Sequence, residues 1–312
     1  MRYTHLFGPV SSRRLGRSLG VDLVPFKTCP YDCVYCECGE TTAKTLQRQE
    51  FFPTREVLDE LSHFLATSPR PDFITLGGSG EPTLSLSIGP VIRFIKERFP
   101  ACRIAVLTNG CLLSDPDVRH DLLQADIVLP TLSTVSKDTF RKIHRPVPGI
   151  DCTGILDGLK RFRDEFTGEI WLEVFIIPGL NTNDQELEGL YDAIRLVQPD
   201  RVQLNTLDRP GTEEWVDPAG PAELARIAHV LNYTGTEPVE STVPPRVLSP
   251  YAEDPVEQVY ELLRRRPSTV SDIASSTGMR ISEVRKILRG MVTTHDLLEK
   301  REERGVFYYF RE

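Results

Sequence analysis

The chain has 312 residues, 40% of them apolar and 26% charged, with a formal net charge of −8; this is ordinary globular usage and excludes a disordered, fibrous or nucleic-acid-coating protein. No basic-then-apolar signal opens the sequence, and charged residues break every hydrophobic run short of the ~18 residues a span needs, so a cytoplasmic protein without membrane partners is expected. Seven cysteines in such a chain favour metal or redox chemistry over a disulfide framework.

In chain order, short β-branched runs alternate with amphipathic stretches. Strands are predicted over Leu19–Phe26, Phe73–Gly78, Arg103–Thr108, Asp126–Thr131, Ile170–Ile177 and Arg201–Leu207. Helices fall between them, for example Arg55–Ala66, Ile88–Arg98, Gly154–Phe166 and Asp184–Leu196. Six such units in series predict an α/β fold, a partial (βα)6 TIM-like barrel over residues 1–235. The proline-rich stretch 236–255 reads as a linker. Beyond it, Val256–Arg265, Val270–Ser276 and Ile281–Met291 read as helices, Gly278 as a turn and Leu297–Phe310 as a hairpin. That order predicts a small C-terminal winged-helix domain over 256–312. Residues 255–312 carry 11 Lys+Arg against 9 Asp+Glu, whereas the rest carries 26 against 36, so a mildly basic module follows an acidic body.

Chemistry in parallel α/β folds gathers in the loops that follow the strands. The loop KTCPYDCVYCEC places Cys29, Cys33 and Cys36 with three and then two residues between them. Thiolates are the ligands that iron–sulfur clusters require, and three of them on a four-iron cubane leave one iron open for chemistry. Zinc is the competing metal, since Cys38 could complete a four-sulfur site, although no second Cys or His pair stands elsewhere to form a ribbon. Cys102 reads as a small buried hydrophobe. An auxiliary cluster on three of Cys38, Cys102, Cys111 and Cys152 stays open, with no paired spacing to favour it.

The Cys-x3-Cys-x2-Cys loop after the first strand resembles the signature of the radical S-adenosylmethionine (SAM) superfamily, a resemblance covering about Gly8 to Leu231. It implies a [4Fe–4S] cluster on Cys29, Cys33 and Cys36 whose open iron is chelated by SAM. It also implies one-electron cleavage of SAM to methionine and a 5′-deoxyadenosyl radical that abstracts hydrogen from substrate, with an external donor of flavodoxin or ferredoxin type. Matched residue by residue, Tyr35 takes the place of the side chain that packs on adenine. Gly78, Ser79, Gly80 and Glu81 resemble the Gly-Gly-Glu stretch that meets the methionine end. Asn109 and Ser133 match polar contacts to methionine and ribose, and Ile177 and Asn181 match the region bordering adenine. Each of these alone is also ordinary loop chemistry.

Within the superfamily, FGPVSSRRLGRSLG, GEPTL and RKIHRP resemble the group that includes tRNA wyosine synthase, but no cysteine precedes Cys29 to hold that family's second cluster. RNA modification is the implied substrate class, and modification or activation of a protein or peptide the alternative. Arg13, Arg14 and Arg145 are candidate substrate contacts, because guanidinium pairs bidentately with phosphate or carboxylate; surface or ion-paired arginines are the plainer reading. His144 is a candidate proton shuttle. Arg280, Arg285, Lys286 and Arg289, with Lys300, Arg301 and Arg304 around the wing, offer a phosphate-binding face diluted by Glu283, Glu299, Glu302 and Glu303. The module could thus bind RNA or dock a protein. A third reading is an iron–sulfur transcriptional sensor that reports redox or SAM status to a DNA-binding tail.

Overall fold

The computed structural model describes residues 3–12, 14–231, 237–238, 254–294 and 297–310. The chain begins with an antiparallel hairpin of β1 (Leu6–Ser12) and β2 (Gly16–Val21), whose register shifts between Phe7 and Val10. A two-residue ladder of β3 (Thr28–Cys29) and β4 (Ala43–Lys44) closes the base of the cysteine loop. Strand and helix then alternate: α1 (Thr54–Thr67), β5 (Phe73–Leu76), α2 (Ile88–Arg98), β6 (Arg103–Thr108), α3 (Pro116–Leu122), β7 (Ile127–Pro130), α4 (Lys137–His144), α5 (Cys152–Glu165), β8 (Glu169–Phe175), α6 (Asp184–Val197), β9 (Arg201–Asn205) and α7 (Pro221–Leu231). A short strand, β10 (Glu237–Pro238), pairs with β9.

Among the described residues these strands form one sheet in the order β1-β2-β5-β6-β7-β8-β9-β10, open at both edges and parallel throughout apart from β1. β5 and β7 are buried along their whole length, as parallel strands under helices must be. Ile74, Ile104, Val106, Val128, Ile170 and Leu172 pack outward against helix residues such as Leu61, Ile92, Leu122, Leu159, Phe162 and Leu190. Leu15, Phe73, Ala105, Ile127, Leu129 and Trp171 form a second cluster on the opposite, interior face of the sheet. The interior is therefore a packed core, and chemistry is left to the loops at the C-terminal strand ends.

Most elements lie where periodicity puts them, because side chains fix the helix ends. Asp115, Asp151 and Asn183 cap α3, α5 and α6 by accepting backbone N–H groups. The first strand is a correction: predicted at Leu19–Phe26, it is observed at Gly16–Val21, with β1 unforeseen beside it. Gly8, at φ 91°, and Pro9 break the alternation by which β1 would have been recognised.

The C-terminal residues fold on a core of their own, built on Val259, Leu263, Ile273, Val284, Leu288 and Met291. It comprises α8 (Pro255–Arg265), β11 (Ser268–Thr269), α9 (Val270–Thr277), α10 (Ile281–Thr294), β12 (Leu297–Glu302) and β13 (Gly305–Phe310), the strands antiparallel in the order β11-β13-β12. Thr269 and Asp272 make a reciprocal capping box on α9, and Gly278 ends that helix in left-handed backbone. Most of the expected linker, residues 239–253, lies outside the described residues. No helix among the described residues is long and apolar enough to cross a membrane.

Candidate metal centre

Past the end of β2 the backbone turns at Lys27, which is left-handed at φ 56°, into the cysteine loop. Main-chain bonds sew this loop to the Gly-Gly-Ser-Gly-Glu loop after β5: Lys27 N donates to Ser79 O at 2.7 Å, and Glu81 N to Thr28 O at 3.0 Å. The approach demands glycine. A Cβ on Gly80 would lie 2.4 Å from Thr28 O, and one on Gly78 would lie 2.1 Å from Asp22 Oδ1. On the far side, Asp32 N and Val34 N donate to His144 O and Ile143 O, both at 2.9 Å, and Glu213 N donates to Val34 O at 3.0 Å. The loop is thus held from three directions.

The three sulfurs face polar groups from separate elements. Lys27 Nζ donates to Cys36 Sγ at 3.1 Å. Asn109 Nδ2, just after β6, and the backbone N–H of Tyr31 both donate to Cys29 Sγ at 3.5 Å. Cys33 Sγ lies 3.3 Å from His144 Nδ1. Burial, reinforced by the Glu81 charge, pushes the Cys29 thiol up to about 12, and burial, with the charges of Cys29 and Cys36, also raises Cys33 well above the ordinary thiol range. Cys36 is held down to about 6, first by a hydrogen bond with the Cys38 thiol and then, against burial, by Lys27. Burial alone takes His144 down to about 3, so the ring is neutral and packs between Tyr31 and Phe140 at centroid distances of 5.2 and 5.1 Å.

Among the described residues, no group of three or more His, Cys, Asp or Glu side chains gathers closely enough around one point for a single metal ion. A four-iron cubane would take each of the three thiolates on a different iron. Donors aimed at the cysteine sulfurs, here Lys27, Asn109 and the Tyr31 amide, are what such a cluster uses to stabilise its charge. The residues present therefore fit a four-iron cluster. Cys38 lies beside Cys36 and Lys27, while Cys102, Cys111 and Cys152 are buried, and all seven cysteines are free thiols. Cys152 Sγ donates to Val135 O.

Several expected contact residues spend their polar atoms within the protein. Glu81 Oε1 accepts from Thr83 N, Thr83 Oγ1 and Thr108 Oγ1 at 3.1, 2.6 and 2.6 Å, and Oε2 accepts from Asn109 N at 2.7 Å. That carboxylate ties the ends of β5 and β6 together and sets the Asn109 turn. Asn181 accepts from Ile177 N and donates to Ser133 O and Phe175 O, all at 2.8 Å; Ser133 Oγ accepts from Phe175 N at 3.1 Å. Ile177 packs in a buried cluster with Val34, Ile143, Phe175 and Val216. Tyr35 stacks on Phe175 at 3.8 Å and 11°. Ser79 contributes its carbonyl to Lys27, as described.

The arginines are also engaged. Arg13 lies outside the described residues. Arg14 sits in the β1–β2 turn, at the N-terminal end of β2, and its Nη1 donates to Glu173 Oε2 at 2.5 Å. Arg145, left-handed at φ 42° where α4 ends, pairs with Asp32 at 3.0 Å and with Glu213. Lys27, Glu173, Phe175 and Glu213 escaped the sequence reading. For Lys27 the signal was present, a lysine two residues before the first cysteine; the other three are recognised only by their spatial partners.

The model of the radical SAM superfamily matches residues 23–194. A protein of Brachyspira hyodysenteriae described as GTPase Obg is 33% identical over 303 residues, which is 96% of this chain and 44% of that protein, so the chain spans less than half of it. A UPF0026 protein of Methanocaldococcus jannaschii is 32% identical over 232 residues, 73% of this chain and 71% of that protein. Among solved structures, TYW1 with a lysine-pyruvate adduct bound superposes with a TM-score of 0.54 at 15% identity, over 73% of this chain and 76% of that one. This last likeness is one of fold.

Proposed function

The chain belongs to the radical SAM superfamily, and from that premise we propose that Cys29, Cys33 and Cys36 hold its cluster and that the protein modifies a macromolecular substrate by radical chemistry. It is a radical SAM enzyme, and enzymes of this family use a [4Fe–4S] cluster, SAM and an external electron donor, which we take to be of flavodoxin or ferredoxin type. When bound, the cluster supplies the electron that splits SAM and so starts hydrogen abstraction from substrate. The chain's own part is to hold, orient and shield. One observation carries the assignment: the three cysteines lie in one loop past β2, with Lys27 and Asn109 donating to two of their sulfurs.

On this reading SAM is bordered by Tyr35, Gly78, Ser79, Gly80, Glu81, Asn109, Ser133, Ile177 and Asn181. Glu81, Ser133 and Asn181 act mainly by fixing the backbone that meets SAM, since their polar atoms are already bonded. A substrate anion gripped by Arg14 or Arg145 would have to displace Glu173, or Asp32 and Glu213.

We read the C-terminal module as a winged helix, since helix, short strand, two helices and hairpin follow in that order. RNA modification is the reading we carry, with Arg285, Lys286 and Arg289 of α10 as phosphate contacts. Peptide modification is the second reading. It is favoured by a groove of about 580 Å³ lined by Ile281, Arg285, Leu288, Arg289, Val292 and Tyr308, among others, which suits an apolar anchor beside an acidic residue.

The test is anaerobic reconstitution with iron and sulfide, then dithionite and SAM, with chromatography for 5′-deoxyadenosine and a Cys29/Cys33/Cys36 triple alanine variant as control. Cleavage by the wild type alone establishes the site and moves the question to RNA against peptide pools. A zinc-filled protein without cleavage overturns it.

A further inference from the structure

One flank of the cysteine loop is built by charged residues that the cluster chemistry leaves unused. Glu37, between Cys36 and Cys38, places Oε2 3.6 Å from Arg209 Nε. Arg209 lies in the loop after β9, and its Nη1 donates to Pro267 O at 2.8 Å and to Asp272 Oδ2 at 2.9 Å. Both acceptors belong to the C-terminal module. Asp272 also accepts from Arg304 Nη2 at 2.7 Å, and Arg304 Nη1 bonds Asp208, the neighbour of Arg209. A separate pair, Arg265 with Asp22 just past β2, joins the module to the barrel on the same side.

The side chains of Arg209 and Asp272 are 9% and 4% exposed. Charges buried to that degree persist only with partners, and removing one partner strands the other. A guanidinium is a rigid planar fork, so its position is set by all of its acceptors together. Thr212, in the same loop, donates from Oγ1 to Cys36 O at 3.2 Å. With Glu213 N donating to Val34 O, the β9 loop therefore grips the cysteine segment at three points, and the module grips the β9 loop.

We propose that Arg209 is a positioning residue of the cysteine site, fixing Glu37 and with it the Cys36–Cys38 segment, and that the C-terminal module, through Asp272, holds Arg209 in place. The consequence for iron rests on the cluster assignment above; the geometry rests on the ion pairs alone.

Hydrogen exchange on the full-length, cluster-free chain tests the geometry. The amides to follow are those of Cys36 and Gly39, which donate to Cys33 O and Cys36 O at 3.1 Å. Arg209→Ala, Asp272→Asn and Glu37→Gln each speed their exchange several-fold. Arg163→Ala, which breaks the pair with Asp200 beside the start of β9, leaves it unchanged. After reconstitution, the three variants alter the electron paramagnetic resonance line shape of the reduced cluster and lose iron to a chelator about tenfold faster. Unchanged Cys36 and Gly39 exchange in Glu37→Gln and Asp272→Asn overturns the proposal, because a merely structural pair would loosen the module and not the cysteine loop. Glu37→Gln keeps the test decisive if Arg209→Ala fails to fold. A wild-type chain that takes up no four-iron cluster overturns the cluster assignment, and the exchange rates still decide Arg209.

Discussion

The Lys27 ammonium stands 3.1 Å from the Cys36 sulfur, on a residue whose own backbone N–H is bonded to Ser79 O at 2.7 Å. Burial opposes that charge, but Cys36, Cys38 and Cys29 outweigh it and hold the lysine above its ordinary range. A cation bonded to a ligand sulfur favours the reduced, more negative form of a cluster. Lys27→Met, which keeps bulk and removes charge, is expected to make the cluster potential more negative, on the order of tens of millivolts. A redox titration followed by electron paramagnetic resonance reads this directly; an unchanged potential would mean that the ammonium does not face the bound cluster.

Gly80 is packed where no side chain fits, with Thr28 O and Val24 in the way of a Cβ at 2.4 and 2.7 Å. Gly80→Ala should therefore cost about 1–3 kcal/mol in denaturant unfolding and push the cysteine loop away from the loop after β5, lowering iron uptake on reconstitution. Wild-type stability with full iron content would contradict this packing.

Arg14 and Glu173 are 18% and 14% exposed at their side chains, and Thr131 and Asn205 also donate to the carboxylate. Loss of the guanidinium leaves a largely buried charge underpaired, so Arg14→Met should destabilise the fold by roughly 2–4 kcal/mol. Adding Glu173→Gln should recover much of that loss. A variant that keeps its stability and loses substrate affinity instead would return Arg14 to the role of substrate contact.

Asp272 gives the module's attachment an acid-side pH dependence. Burial raises its pKa, but Arg209, the Thr269 donors and Arg304 together hold it below the ordinary value of 3.8. A depressed acid stabilises the folded form fully above its unfolded pKa, and the contribution fades as pH falls through the folded value. The protection of the α9 amides, that is exchange relative to the intrinsic rate at each pH, should be flat above about pH 5 and fall below about pH 4, with the acid-dependent part missing in Asp272→Asn. An acid response equal in both proteins would assign it to other groups.

The sequence by itself determined the parallel α/β plan, and it singled out the loop on which we propose that the cluster is held. Helical and strand periodicities are local properties, and Ile88–Arg98 and Arg103–Thr108 are observed over the predicted residues. A spacing of three and two residues between Cys29, Cys33 and Cys36 is likewise a local feature, and it is the one from which we propose that a single loop reaches several corners of one cluster. Tertiary structure decided which polar groups are left for chemistry. Glu81, Ser133 and Asn181 look like ligand contacts in a string of letters, and their bonds to Asn109, Phe175 and Ile177 became visible only when separate strand ends met. Arg14 finds Glu173 across 159 positions, and Arg209 finds Asp272 across 63. Such pairings have no local signature: charge and hydrogen-bonding capacity belong to each residue, but the partner that satisfies them is chosen by the packing of the whole chain.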